Sequence, residues 1–385
     1  MDFSFTQAQQ AYREQAQRLA VERLAPEYRA REERGEIEQP LLLEMGRLGL
    51  IAPEIPVALG GRGQDRVTAG LIVEEIARGD LTVAYVQVVG SLVGQILQGF
   101  ARPAVAAEWV PRICSGEQIV GIGLSEPHAG SDAGMPRMRA TRERGGYTLN
   151  GQKSLSFCMQ AGAAVVFART SAEGVRARGI SAFLVPLDAP GATGITRERF
   201  PDMGSLAVGR GLLTLEDVWI PESHLLGEEG EGFSQVMRGF DFSRALIGLQ
   251  CIGAAQVSLE ETWEYVSHRE AFDQPLSAFQ GVAFPLAEAE TLLTAARLLC
   301  YQTLWLKDND LPHTTQAAMS KWWAPKVAFD VIQSCLLLHG QAGYKTDRPL
   351  EQRLRDTLGL QIGDGTAQIM KLIIARQRVG RALAP

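Results

Sequence analysis

The hydrophobic pattern of this chain changes period twice, and that limits its fold more than any single residue does. Residues 1–118 carry apolar positions at helical spacing, broken by Pro53, Pro56 and the Leu59-Gly-Gly-Arg-Gly63 cluster. Thr6 is a candidate N-cap for the first helix. A second helix is expected over 38–48, with Gly49 as its stop, and apolar helices resume over 67–77, 83–100 and 104–115. From about Glu117 short strand-like runs take over, at 119–124, 164–169, 180–185 and 212–220, with turn residues between them. Asn150-Gly151 predicts a tight hairpin turn among them. After Leu226-Gly-Glu-Glu-Gly-Glu-Gly-Phe233 the helical period returns over 240–269. A stripe of Leu286, Ala289, Leu293, Ala296, Cys300 and Leu304 follows. The next helix, 314–338, ends at Gly340 and is expected to kink or break at Pro325. Helices over 350–358 and 366–384 complete the chain. The expected architecture is an N-terminal helical domain (1–118), a central β-barrel-like domain (119–230) and a C-terminal helical bundle (231–385). A length of 385 residues suits such a division.

Charge and cysteine use narrow the function classes. A net charge of −6 argues against a nucleic acid as the main partner. No apolar run reaches the roughly 18 residues that suggest a membrane span, and the start of the chain lacks the pattern of a secretory leader. The five cysteines are scattered, without metal spacing or a disulfide framework, which fits reduced thiols in a cytoplasmic enzyme. The five histidines are equally dispersed, so no metal site is expected.

Three stretches carry candidate chemistry. In Gln361-Ile-Gly-Asp-Gly-Thr-Ala-Gln-Ile-Met370, Asp364 stands between two glycines, just before an apolar helical run. Glycines let the backbone turn sharply and approach a ligand, so Asp364 reads either as a presented carboxylate or as a plain helix N-cap. In Gly123-Leu-Ser-Glu-Pro-His-Ala-Gly-Ser-Asp-Ala-Gly134, Gly130 and Ser131 offer backbone N–H groups and a hydroxyl to an anion or heterocycle. The alternative there is a surface loop. In Arg269-Glu-Ala-Phe-Asp-Gln-Pro275, a guanidinium stands ready for a phosphate, or simply complements a helix C-terminus.

Taken in order, these motifs resemble the acyl-CoA dehydrogenase family over nearly the whole chain. The resemblance rests on Ile55-Pro-Val-Ala-Leu-Gly-Gly61, Leu124-Ser-Glu-Pro-His-Ala-Gly-Ser-Asp132, Val218-Trp-Ile-Pro221 with the Gly-rich segment to Phe233, and Arg269-Glu-Ala-Phe272 with Gln280. It continues through His339-Gly-Gln-Ala-Gly-Tyr344, Arg353-Leu-Arg-Asp356 and Gly365-Thr-Ala-Gln368. The resemblance implies a helical domain, a β domain and a four-helix bundle, with FAD between the last two. It also implies a homotetramer, α,β-dehydrogenation of an acyl-CoA thioester and an electron-transfer flavoprotein as acceptor. Asp364 is then the base that removes the α-proton. Leu124, Ser125, Gly130 and Ser131 are implied at the flavin and thioester. Arg269, Phe272 and Gln280 are implied at another subunit's FAD, and Thr366 and Gln368 on the flavin diphosphate side. Asp241 and Arg244 are implied at the CoA portion, and Gly365 at the substrate.

The chain departs from the family pattern in four places. Asp364 replaces a glutamate, one methylene or roughly 1.5 Å shorter, and a misplacement of about that size can cost a hundredfold in rate. Ser243 matches a position where some members carry the base, and a serine cannot replace a carboxylate there. Leu155 and Phe157 replace a tryptophan and a threonine that meet the flavin. Leu337, Gln341 and Asp273 replace a glutamine and two glycines. The shorter base, with a 155–157 segment similar to that of cyclohexane-1-carboxyl-CoA dehydrogenases, suggests an alicyclic acyl group. Two other readings stand beside this one: a nitroalkane-oxidase-like flavin oxidase with an aspartate base, and a non-catalytic CoA-binding helical module.

Overall fold

The computed structural model describes residues 4–171, 176–188, 193–380 and 382–383. Helix α1 (Gln7–Leu19) starts with a capping box: the Thr6 hydroxyl accepts from the Gln9 N–H, and the Gln9 side chain accepts from the Thr6 N–H. A π turn (Ala20–Leu24) leads to α2 (Tyr28–Arg34), α3 (Gln39–Arg47), α4 (Arg66–Gly79), α5 (Leu81–Phe100) and α6 (Pro103–Cys114). Helix α5 is long and apolar enough to cross a membrane, but 83% of its apolar window is buried within the protein. It packs on α4, α6 and the bundle, as a core helix does. Asp80 starts it by accepting from the Thr82 and Val83 N–H groups, and pairs with the buried Arg31 at 2.7 Å.

The β domain holds β1 (Val120–Gly123), β2 (Arg139–Glu143), β3 (Gly146–Leu155), β4 (Ala163–Arg169), β5 (Ile180–Pro186), β6 (Ile195–Arg199), β7 (Gly211–Pro221) and β8 (Leu225–Leu226). Strand order is β6-β7-β3-β2-β4-β5-β8, with β1 parallel to β4. Every residue of β4 is buried, as expected of a strand covered on both faces. Asn150-Gly151 does not turn the chain. It lies inside β3, where the register against β7 slips between Leu149 and Gly151, and Gly151 has φ +140°. The extra residue lies on β7, where Asp217 takes φ +52°, so Tyr147, Leu149, Lys153 and Leu155 keep an uninterrupted inward alternation along β3. The β2–β3 turn falls instead before Gly146, at Gly145 with φ +80°.

The first bundle helix begins earlier than periodicity suggests, as the 37-residue α7 (Gly232–His268). A short hairpin of β9 (Glu270–Ala271) and β10 (Gln274–Pro275) joins it to α8 (Gln280–Asp308). Helices α9 (Thr314–Leu338), α10 (Leu350–Leu360) and α11 (Ala367–Val379) follow. Pro325 does not break α9, which is continuous through it. The proline forfeits one helix hydrogen bond, and tight burial beside Ala324 and Ala328 holds the helix together. Helix α7 packs against α4, α5, α8 and α9, so the first domain and the bundle share one core.

Helix α10 ties all three domains. Its Asp356 is fully buried and accepts from the Tyr28 hydroxyl of α2 at 2.6 Å and from the Ser205 N–H in the β domain. Beside it, Arg355 pairs with Glu32 at 3.0 Å and donates to the Met203 carbonyl at 2.9 Å. Replacing Asp356 with alanine leaves a buried hydroxyl and a buried N–H without an acceptor, at about 1–3 kcal/mol each. The expected result is a clearly lower thermal midpoint by calorimetry; an unchanged midpoint would show that the node carries no stability.

Candidate active site

The chain leaves α10 at Leu360 and turns back into α11 through 361–366. Asp364 takes φ +54° in that turn and Gly365 φ +101°. A non-glycine residue in the left-handed region costs about 1–2 kcal/mol, so the surroundings must hold Asp364 there. The plain N-cap reading does not apply. Thr366 caps α11, its hydroxyl accepting from the Ile369 N–H at 3.4 Å, and leaves the Asp364 carboxylate for other work.

That carboxylate is half-buried and accepts from the Ser243 hydroxyl of α7 at 3.1 Å. Burial pushes its pKa up, opposed in order by the charge of Lys321, the Ser243 hydrogen bond and the charge of Arg244. Lys321 is fully buried on α9, donating to the Leu360 carbonyl at 2.8 Å and the Gly365 carbonyl at 3.2 Å. Burial lowers its pKa to about 8. Arg244 is 3% exposed and donates to Asp241 at 2.8 Å, and Asp241 accepts in turn from the Thr314 hydroxyl at 2.6 Å. Asp241 and Arg244 are thus locked to each other inside the bundle; only the Arg244 Nε among this group lacks a partner.

Reading the sequence missed Lys321 and Thr314. A signal existed for the first. Ala317, Lys321, Ala324 and Ala328 recur at intervals of three and four on the inward stripe of α9, and a lysine there is out of place.

The 124–131 loop is anchored at its base and open at its tip. The Ser125 carbonyl accepts from the Ser154 N–H at 2.9 Å, and the Leu124 carbonyl from the buried Lys153 at 3.0 Å. Lys153 also pairs with Glu126 at 2.7 Å, and Glu126 accepts from the Arg137 and Met138 N–H groups. Gly130 and Ser131 are exposed, and a Cβ on Gly130 would meet nothing within 4 Å. Leu155 and Phe157 are buried in the β domain, Phe157 at φ +57° with its N–H on the Val208 carbonyl.

Arg269, Phe272 and Gln280 are exposed and far from Asp364 within one chain. Arg269 follows Ser243 by about 26 residues along α7, or roughly 39 Å of helix. Phe272 and Asp273 have φ +53° and +62°, the pair of left-handed residues a two-residue hairpin turn requires. Glycine suits the second position, which accounts for the family's preference there; Asp tolerates it better than most residues. Thr366 and the exposed Gln368 stand at the N-terminal end of α11.

Three family models match the chain end to end: the acyl-CoA dehydrogenase N-terminal domain over residues 6–117, the middle domain over 121–218 and the C-terminal domain over 230–378. The chain belongs to the acyl-CoA dehydrogenase family. It is 33% identical over 380 residues to the probable acyl-CoA dehydrogenase YngJ of Bacillus subtilis (strain 168), covering 98% of this chain and 99% of that one. It is 37% identical to the mitochondrial short-chain specific acyl-CoA dehydrogenase of Rattus norvegicus, covering 86% and 80%. Among solved structures, butyryl-CoA dehydrogenase from Megasphaera elsdenii matches with a TM-score of 0.94 at 30% identity, covering 98% and 100%. A chain from work on the electron transferring flavoprotein of Acidaminococcus fermentans also matches at 0.94, with 31% identity over 98% and 100%.

As an acyl-CoA dehydrogenase the protein acts on the CH–CH group of an acyl-CoA and uses FAD. The donor set fits that cofactor. The open backbone at Gly130 and Ser131, the hydroxyls of Ser125, Ser131 and Thr366, and the N-terminus of α11 suit a polar heterocycle and a diphosphate. Among the described residues no group of three His, Cys, Asp or Glu side chains forms a metal site.

The electrostatics give a testable pH dependence. Only the ionised Asp364 accepts a proton, and burial raises its pKa above the ordinary aspartate value of about 3.9. With Asp364 as the proton acceptor proposed below, flavin reduction by substrate is expected to weaken as pH falls through a value above that figure. Stopped-flow reduction against pH checks this, and a rate flat down to pH 4 contradicts it.

Proposed function

We propose that Asp364 removes the α-proton of a bound acyl-CoA while the β-hydrogen leaves as hydride, giving the α,β-enoyl-CoA. The observation that carries this reading is the half-buried carboxylate in a left-handed turn, held by Ser243 with two buried cations behind it. Ser243 orients the carboxylate by donating to one oxygen, which leaves the other for the substrate. The Asp364 N–H suits the thioester oxygen, where charge develops as the proton leaves. In this reading the anchored 124–131 loop lines the flavin and thioester. Bound FAD supplies the hydride acceptor.

The same reading takes the exposed ends of α7 and α9 as a contact between copies in a homotetramer. Tyr265 stacks on His339 at 4.2 Å, which brings those ends together. Phe272, Leu337 and Tyr344 are 89%, 68% and 86% exposed there, an apolar set suited to burial against a partner. Arg269, Phe272 and Gln280 would then serve another subunit's FAD. An electron-transfer flavoprotein as acceptor is supported by the work in which a structural neighbour appears. The five buried, unpaired cysteines suit a cytoplasmic setting.

For the acyl group, the shorter aspartate leaves room at the α-carbon for a ring spanning Cα and Cβ, which favours an alicyclic thioester such as cyclohexane-1-carboxyl-CoA. A short linear acyl group is the second reading, supported by the short-chain and butyryl-CoA dehydrogenases that this chain resembles. Anaerobic flavin bleaching by cyclohexanecarboxyl-CoA and by butyryl-CoA separates the two. Faster bleaching by butyryl-CoA rejects the ring. Asp364→Asn should slow bleaching by roughly 10²–10⁴-fold with either thioester; bleaching at the native rate would remove Asp364 as the base. Rapid turnover of a nitroalkane in air, without CoA or added acceptor, would favour the oxidase reading instead.

A further inference from the structure

We propose that Lys321 is a positioning residue for the base, tying both ends of the turn that presents Asp364 and supplying a buried positive charge behind its carboxylate. The proposal rests on the reading of Asp364 as the base. Its grounds are geometric. Lys321 is fully buried on α9, and its ammonium donates to the carbonyl of Leu360, the last residue of α10, and to that of Gly365, directly after Asp364. One side chain from a different helix therefore closes the segment 360–365 into a loop around a residue at φ +54°.

Such strain persists only where the surroundings over-determine it. Ser243 and Lys321 are the side chains from the bundle that hydrogen-bond to this turn among the described residues. The carbonyl at the end of α10 also carries the negative end of the helix dipole, where a cation is favoured. Burying an ammonium is costly, and nothing in packing alone asks for one on an otherwise small-residue stripe. A methionine would fill similar space, but it would neither bridge the two carbonyls nor favour an ionised carboxylate.

The groups facing Asp364 are Lys321 from α9 and Ser243 and Arg244 from α7, with Asp241 already neutralising Arg244. Lys321 is thus the cation not already paired with a carboxylate. Its removal has two consequences of different kind: the turn loosens, and the ionised form of Asp364 loses support, so its pKa rises. Losing the charge moves the acid limb of the rate profile toward higher pH.

Lys321→Met and Lys321→Gln, loaded with FAD, test this beside Lys326→Met, a change at an exposed lysine on the same helix that pairs with Asp330. The amide introduced by Lys321→Gln can still donate to one or both carbonyls but carries no charge. In both variants of Lys321 the acid limb of anaerobic flavin reduction should move to higher pH, and the rate at pH 7 should fall at least tenfold in the Met variant. KM should change less than threefold. Hydrogen exchange over 361–367, measured with and without FAD, should quicken about tenfold in the Met variant and less in the Gln variant. Lys326→Met should match the wild type throughout.

A Met variant that keeps the native pH limb and native exchange overturns the proposal. If the Met variant fails to fold, a Gln variant with an unmoved pH limb does the same. Failure of the base reading itself looks different. There Asp364→Asn would still bleach at the native rate, while exchange in the Lys321 variants would still report on the turn.

Discussion

The left-handed turn at Asp364 is the constraint on which the site depends, and the fold meets it by fixing α10 along its length. Asp356 and Arg355 hold the helix to α2 and to the β domain. Lys321 holds its last carbonyl to the bundle. A strained residue of roughly 1–3 kcal/mol is tolerated only on such a frame, because a frayed helix end would relax it. The three domains are therefore not independent modules around a cleft. The node that joins them lies eight residues before Asp364, and the two are connected by the end of one short helix.

The electrostatics of Asp364 follow from the same packing. Burial by itself raises the pKa of this carboxylate, and two buried cations and a hydroxyl pull the other way. The net effect is still a raised pKa, which suits a base facing a weakly acidic α-proton better than an ordinary surface aspartate would. Arg244 is paired with Asp241, which accepts in turn from Thr314, so its charge is held in place near Asp364. Its influence on the site is that of a fixed charge.

Much of the architecture was legible in periodicity, since the switches between helical and strand spacing follow directly from which side chains must face the core. Asn150-Gly151 misled because turn preference is local, while pairing of β3 along β7 on both sides of Gly151 is not; the bulge beside it falls on β7. Pro325 misled for a related reason, as tertiary burial outweighed one lost hydrogen bond. Asp364 stood out through its flanking glycines, yet its partner Ser243 lies 121 residues away in sequence and no spacing rule links them. Lys321 was visible only as an anomaly, a charge on an inward stripe whose purpose needs the turn beneath it.

The longest helix makes the remaining division intelligible. Near its start α7 carries Ser243 against Asp364, and at its far end it carries Arg269 and the hairpin with Phe272 into solvent. Roughly 39 Å of helix separates groups that the resemblance assigns to the same kind of cofactor, so one chain cannot use both ends on one FAD. In the proposed assembly each α7 reads two sites, its own through the first turns and a neighbour's through the last. The exposed turn at Phe272 and Asp273, with both residues at positive φ, fits that arrangement: a hairpin tip held in a costly conformation and projecting an aromatic ring is of little use to an isolated chain, and gains a purpose once a second copy lies against it.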